Sequence, residues 1–379
     1  MLAREDAGTG IQRVVRAMLS ALVESPPDGF VVLPVVATPR LSYRLLPPGP
    51  PDAVPAGLWR MLPIAQVGPG DMFAGLDYSA HIIPARRRDL RRWRQRGARL
   101  AFVVYDLLPA RNPEWFSSRA ASNHARWLQF VARNADGLVC ISQDVAADLA
   151  GVLAASGRAD RPDIHTIRLG ADIPASRPSR GLPVNAETLI ERMGDHPAVL
   201  MVGTVEPRKG YDQALAAFEE LWAQGNCTEH LPAASLPMLI IVGRPGWKTD
   251  ALQDQLRNHP QSGLLLHWFD DASDEFLECL YRKAAGLLFA SRGEGFGLPL
   301  IEAARHALPI LARDLPVFRE VAPPWTQFFA SDDPGILAAA VSDWLGQLPR
   351  GAGSALAIGL SSWADSAADL RTALARIAM

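Results

Sequence analysis

Two glutamates eight residues apart, Glu294 and Glu302, lie in the stretch SRGEGFGLPLIEA at residues 291–303, together with three glycines and a proline. An apolar run, residues 286–290, leads in, and a helical pattern follows Pro299. A strand, a glycine-rich turn and a helix with proline near its first position present free backbone N–H groups and the positive end of a helix dipole, which suits an anion. Gly295 and Gly297 allow a ligand close to the backbone. A carboxylate at Glu302 can accept hydrogen bonds from two adjacent hydroxyls, as a ribose offers, while Glu294 faces whatever lies beyond the phosphates. The same letters also describe a plain helix entry with a surface glutamate. Among 40 acidic residues this spacing alone does not decide between the two.

A second cluster has the same grammar. VGTVEPRKGYDQAL, residues 202–215, reads as strand, glycine-containing loop and helix, with Arg208 and Lys209 at the helix entrance. Cations there oppose the helix dipole unless an anion is shared between them. A diphosphate that gains charge as it leaves is one such anion; a solvated basic pair is the alternative.

These two clusters need a scaffold of strands whose carboxyl ends carry the loops. Short apolar runs alternate with amphipathic stretches along the chain, which predicts an α/β protein with parallel sheets. In the first half, strands are expected near 29–36, 100–105, 137–141 and 164–169, with helices over 118–133 and 143–153. Ile11, Val14, Val15, Met18, Leu19 and Leu22 keep helical spacing, with Thr9 as N-cap. A Pro-, Ser-, Arg- and Gly-rich segment at 174–183 reads as a linker. The second half predicts strands at 198–203, 238–243, 264–268 and 286–290, and helices at 211–224, 249–258, 273–285 and beyond Pro299. Two doubly wound Rossmann-like domains facing across a cleft, with ligands at the carboxyl ends of their strands, is the expected architecture. Its domains are 1–183 and 184–350, with a terminal helix in 351–379. The opening heptad MLAREDA is too short and polar to be the buried strand with which such a domain begins, so either an early strand is missing, with the natural start upstream, or the first domain is built around its absence.

With 379 residues, 49% apolar and 21% charged, the chain is long enough for two ordinary domains with substantial cores. A net charge of −2 gives no global reason to expect nucleic acid as a partner. Cys140, Cys227 and Cys279 fall in no metal or redox spacing, and the histidines show no ligand spacing with one another or with cysteine, so these residues read as buried thiols and as surface or core histidines. No apolar run approaches the length of a bilayer span, and residues 1–10 lack a signal-peptide core, which leads to the expectation of a cytoplasmic protein.

Taken together, the motifs resemble the retaining glycosyltransferases of family four, which share a two-domain fold called GT-B. That family's signature is a glutamate, seven residues and a second glutamate, matched by EGFGLPLIE from Glu294 to Glu302. The resemblance runs along nearly the whole chain, through GTGIQRVVRAML, VVYDLLPARNPEWF, CISQDVAADL, VGTVEPRK, IIVGRPGW, PVFREVA and SSWADSAADLRTAL. It implies that Glu302 holds the nucleotide ribose and that Glu294 contacts the transferred sugar near its anomeric carbon. It further implies that the backbone of Phe296, Gly297 and Leu298 holds the sugar and distal phosphate, and that Arg208 and Lys209, with Gly203 and Thr204 beside them, bind the diphosphate. Gly8 and Gly10 let the first domain close over the donor. The implied chemistry is metal-independent hexosyl transfer with retained configuration, without a cofactor, from a nucleotide-diphosphate sugar to a polysaccharide or lipid-linked oligosaccharide, as in lipopolysaccharide biosynthesis. The wording around EPRK and PVFREVA resembles mannosyl- and rhamnosyltransferases, which points to GDP-mannose.

The chain departs from the family pattern at two positions. Tyr105 precedes Asp106 where many members have histidine, so a histidine base is not available there. Ala307 replaces a common glycine after the signature helix, read as a tolerated cap change. These departures leave a second reading: a catalytically degenerate GT-B module that binds nucleotide sugar or a partner protein. The pair Trp268-Phe269 suits either nucleobase stacking or core packing. Finally, ARRRDLRRWRQRGAR at 85–99 carries eight arginines against one acid. A helix there would show Leu90 and Trp93 between basic flanks, suited to an anionic membrane surface or to a solvated helix covering a sheet.

Overall fold

The computed structural model describes residues 10–47, 49, 54–157, 160–170, 179–227, 236–348 and 360–379. In chain order its first elements are α1 (Gly10–Glu24), β1 (Val35–Val36), β2 (Arg44–Leu45), β3 (Met72–Gly75), α2 (Arg87–Gln95), β4 (Arg99–Val104), α3 (Leu108–Arg111), α4 (Ser118–Asn134), β5 (Gly137–Cys140), α5 (Gln143–Ala155) and β6 (Asp163–Thr166). There follow α6 (Ala186–Asp195), β7 (Ala198–Val202), α7 (Tyr211–Cys227), β8 (Met238–Val242), α8 (Asp250–Asn258), β9 (Leu266–Phe269), α9 (Asp274–Lys283) and β10 (Gly286–Phe289). The last are α10 (Leu298–Arg305), β11 (Ile310–Arg313), α11 (Pro316–Val321), β12 (Gln327–Phe329), α12 (Pro334–Gln347) and α13 (Trp363–Ala378). The described residues cluster into two compact units, one within 1–114, 118–176 and 361–379, the other within 115–117 and 177–360.

The first unit holds a parallel sheet in the order β3-β4-β5-β6, with β1 and β2 as a separate antiparallel pair. In β4, Leu100, Phe102 and Val104 point into a core with Phe73, Trp93, Trp127 and Phe130. Leu90 and Trp93, three apart on α2, are the residues this helix buries; its arginines at 87, 88, 91 and 92 are exposed. Within 85–99 the helix is thus Arg87–Gln95, its apolar stripe belongs to the core, and its outward side is mostly arginine. α13 packs on β4, β5 and β6 and beside α1. A capping box starts it: Ser362 Oγ accepts from Asp365 N–H, and the Asp365 carboxylate accepts from Ser362 N–H.

Of the strand expected at 29–36, only Val35 and Val36 pair, because Val31 and Leu33 face solvent instead of a sheet. The expected N-cap Thr9, the opening heptad and residues 174–178 of the 174–183 segment lie outside the described residues.

The second unit is a six-stranded parallel sheet in the order β12-β11-β10-β7-β8-β9. Its central strands are continuous apolar runs, AVLMV in β7, MLIIV in β8 and GLLF in β10, as strands covered on both faces must be. The chain runs outward through β7, β8 and β9, then returns to the other side of β7 with β10 and continues through β11 and β12. The order therefore reverses between β7 and β10.

α10 ends in a Schellman motif: Leu308 N–H donates to Ala303 O and Ala307 N–H to Ala304 O, both at 3.0 Å. The motif forces Ala307 into the left-handed region at φ +50°. A side chain there is strained by about 1 kcal/mol, so the cap is tolerated at a cost. Ala307→Gly should raise stability by about 0.5–1 kcal/mol, read as a higher urea midpoint at unchanged slope; an unchanged or lower midpoint would contradict the cap geometry.

Candidate active site

In an open α/β sheet, ligands bind beyond the carboxyl ends of the strands where the order reverses. In the second unit that point lies between β7 and β10, and the two loops leaving those strands are the two stretches singled out by sequence. After β7 the chain passes Gly203 and Thr204 into a short turn, Pro207–Lys209, closed by Gly210. After β10 it passes residues 291–297 into α10, where Gly297 precedes the helix at φ +105°. The loops are tied together: Arg292 N–H donates to Arg208 O at 2.7 Å, and the Arg292 guanidinium reaches Pro207 O and the Asp212 carboxylate.

The charges on these loops meet. Arg208 Nη1 donates to Glu294 Oε2 at 2.5 Å, and Lys209 Nζ to Glu294 Oε1 at 2.5 Å. Ser291 Oγ donates to Glu294 Oε1 at 3.0 Å, and Arg208 Nη1 also reaches Gly293 O at 2.9 Å. On its other side Arg208 donates through Nε to Glu206 Oε2 at 3.0 Å. All four charged side chains are largely buried, with exposures of 8% for Glu206, 10% for Glu294, 11% for Lys209 and 16% for Arg208. Gly203, at φ +138°, makes room for this arrangement; a Cβ there would lie 3.1 Å from Lys209 Nζ.

Burial alone would push the Glu294 carboxyl up, but Arg208 and Lys209 outweigh it and hold the group down to about 2. Burial raises Glu206, and its cationic neighbours oppose this. The anion that two cations at a helix entrance require is thus supplied internally by the first signature glutamate.

Glu302 sits one turn into α10, 4% exposed, and is not part of this ion cluster. Tyr281 Oη, from α9, donates to its Oε2 at 2.8 Å, and the Tyr281 ring stacks on His306. Phe296 and Gly297 N–H groups have no acceptor among the described residues; with Leu298 they form the amino end of α10. Gly10 is the first residue of α1 in the other unit, and Gly8 lies outside the described residues.

Glu206, Ser291 and Tyr281 were not foreseen. An acid two residues before Arg208 was visible as part of EPRK, whereas nothing in the sequence linked Tyr281 to Glu302. Tyr105 is buried in the first unit, its hydroxyl donating to Leu76 O at 2.6 Å, and burial followed by the Asp77 charge raises it far above its ordinary range. Trp268 donates to Gly243 O at 2.8 Å and carries Arg257 over its ring at 4.7 Å; Phe269 packs edge-on against Phe276. Among the described residues no group of three or more His, Cys, Asp or Glu is placed to hold a metal, and no helix is long and apolar enough to cross a membrane. A cavity of about 980 Å³ opens in the first unit, walled by α1, β1 and β3, but none of the charged cluster lines it.

Residues 90–314, spanning both loops, match the model of a family described as "Family 4 Glycosyltransferase in conflict systems". The chain belongs to glycosyltransferase family 4. Within curated proteins this family 4 chain is similar to the serotype-specific mannosyltransferase WbdA of Escherichia coli, with 41% identity over 349 residues, 91% of this chain. The chain spans 42% of that relative's length. It is also similar to the O-antigen chain mannosyltransferase B of Escherichia coli, at 28% identity over 163 residues, covering 43% of this chain and 40% of the relative. Among solved structures it is similar to Anabaena HepE in complex with UDP and glucose, with a TM-score of 0.54 at 17% identity, covering 81% of this chain and 75% of that one. The fold is GT-B.

The ion cluster makes a pH-dependent prediction. The folded-state pKa of Glu294, about 2, lies below its ordinary 4.5. Its contribution is therefore fully present above about pH 4.5 and disappears as pH falls through about 2. Glu294→Gln should destabilise the protein by about 3 kcal/mol near pH 7, and the gap to wild type should close progressively below pH 4.5. A gap that stays constant in denaturant titrations from pH 7 to pH 3 would contradict the pairing.

Proposed function

We propose that this chain transfers a hexose, mannose from GDP-mannose, to a growing polysaccharide or lipid-linked oligosaccharide with retained anomeric configuration. The observation that carries this reading is the Arg208–Glu294–Lys209 cluster at the reversal point of the second sheet, beside the open amino end of α10. The similarity to mannosyltransferases of serotype and O-antigen chains supports the choice of sugar and acceptor.

In this reading the donor diphosphate takes the place of the Glu294 carboxylate on Arg208 and Lys209, and the N–H groups at the start of α10 hold the distal phosphate. Glu302, fixed by Tyr281, accepts hydrogen bonds from the ribose hydroxyls. Released from the cations, Glu294 turns to the sugar beside the anomeric carbon, where its negative charge steadies the positive charge that develops there. The bond from the anomeric carbon to the phosphate oxygen breaks while the acceptor oxygen bonds on the same face. The leaving phosphate oxygen receives the acceptor proton. Arg208 and Lys209 neutralise the departing diphosphate, which makes a divalent ion unnecessary.

The arginine-rich face of α2 is read as a contact with anionic lipid at the cytoplasmic side of a membrane, where lipid-linked acceptors reside. Its Arg87, Arg88, Arg91 and Arg92 are exposed, and each arginine near such a surface contributes about 1 kcal/mol.

Steady-state transfer and acceptor-free hydrolysis over a panel of nucleotide sugars test the enzyme. Activity with GDP-mannose that persists in chelator is expected. Glu302→Ala should raise the donor KM about tenfold with little loss of kcat, whereas Glu294→Ala should lower kcat by ~100-fold. Donor binding without turnover by the wild type would leave the non-catalytic binder, and activity that vanishes with chelator and returns with Mg²⁺ would overturn metal independence.

For the membrane contact, sedimentation with vesicles containing anionic lipid should be salt-sensitive and should weaken when Arg87, Arg88, Arg91 and Arg92 are changed to glutamine, with donor hydrolysis intact. Equal sedimentation of wild type and variant would remove the membrane role.

A further inference from the structure

The geometry points to Glu206 as the positioning residue of the transfer step: it fixes the Arg208 guanidinium in place when Glu294 gives up its hold on it. This rests on the proposed transfer reaction and adds a residue to it.

Arg208 has a carboxylate on each side, Glu294 at Nη1 and Glu206 at Nε. The two differ in freedom. Glu294 lies on the glycine-flanked loop before α10, whereas Glu206 grows from backbone locked on several sides. Val205 N–H donates to Arg244 O at 2.9 Å, and Gly246 N–H donates to Val205 O at 3.1 Å. Thr249 Oγ1 donates to the same Val205 carbonyl at 2.8 Å and is itself held by Gln253. Gly246 packs so closely that a Cβ on it would lie 2.9 Å from Glu206 Cγ. Glu206 therefore stands on fixed backbone with Gly246 against its Cγ, and it is the anchored end of its pair with Arg208.

A guanidinium gripped through Nε is held edge-on, with Nη1 directed at the Gly293–Glu294 turn. When the diphosphate displaces Glu294, the Glu206 contact remains and keeps those donors aimed at the leaving oxygens. Glu206 also offsets one of the two cations. Removing its charge therefore leaves ground-state attraction for a diphosphate intact or stronger, while the aim of Arg208 is lost. That combination separates a positioning role from a merely structural one.

The test compares wild type, Glu206→Gln, Arg208→Ala and the double variant, using GDP-mannose turnover, calorimetric binding of GDP and thermal melting. Glu206→Gln is expected to lower kcat by about 10- to 100-fold while the GDP Kd stays within about threefold of wild type or tightens. In the Arg208→Ala background the same change should have almost no further effect on kcat, since the residue acts through Arg208. Should Glu206→Gln fail to fold, Glu206→Asp keeps the charge but withdraws it by one methylene, and an intermediate loss of kcat at unchanged GDP affinity is expected. Unchanged kcat in an active background, additive losses in the double variant, or parallel loss of kcat, GDP affinity and melting temperature would each overturn the inference alone. A wild type inert towards the whole donor panel would overturn the transferase reading and this inference with it.

Discussion

Two cations and two carboxylates share one small buried volume at the ends of β7 and β10, and much of the second unit is arranged to make that tolerable. Removing each ion from water costs several kcal/mol, recovered only when opposite charges meet with good geometry. The cluster holds two positive and two negative groups, so it is neutral as it stands. Its neutrality depends on two loops far apart in sequence, hence the cross-links through Arg292 to Arg208 O, Pro207 O and Asp212. Under the proposed transfer, a diphosphate, carrying more charge than one carboxylate, takes the place of Glu294 on both cations.

Much of this was legible in the residues. The strands of the second unit stood out because a parallel strand covered on both faces is an unbroken apolar run, as AVLMV and MLIIV are. The glycines, the cations and the two signature glutamates marked both loops. What linear reasoning could not supply was the pairing. Arg208 and Glu294 lie 86 residues apart, and only the placement of β10 next to β7 brings them together. Glu206 was hidden for the same reason: an acid before a basic pair looks like surface charge until Gly246 and Val205 are seen to enclose it. The start of the first unit was misread where apolar residues at 31 and 33 suggested a strand but face solvent, and β3 was overlooked because MFAG is too short to declare a period.

The two departures from the family pattern have different physical meanings. Ala307 keeps a left-handed cap that glycine would fill without strain, so its effect is on stability. Tyr105 spends its hydroxyl on Leu76 O inside the first unit, so its effect is on the packing of that unit. Both signature glutamates, Glu294 and Glu302, are retained beside these departures.

The central claim of the proposed function is that the donor diphosphate takes the place of the Glu294 carboxylate on Arg208 and Lys209. A crystal structure with GDP bound tests it most directly. The account predicts phosphate oxygens within about 2.7–3.2 Å of Arg208 and Lys209 nitrogens, with Glu294 turned off both cations and Arg208 still bonded to Glu206. GDP bound elsewhere, with the Glu294 contacts to Arg208 and Lys209 unbroken, would contradict it.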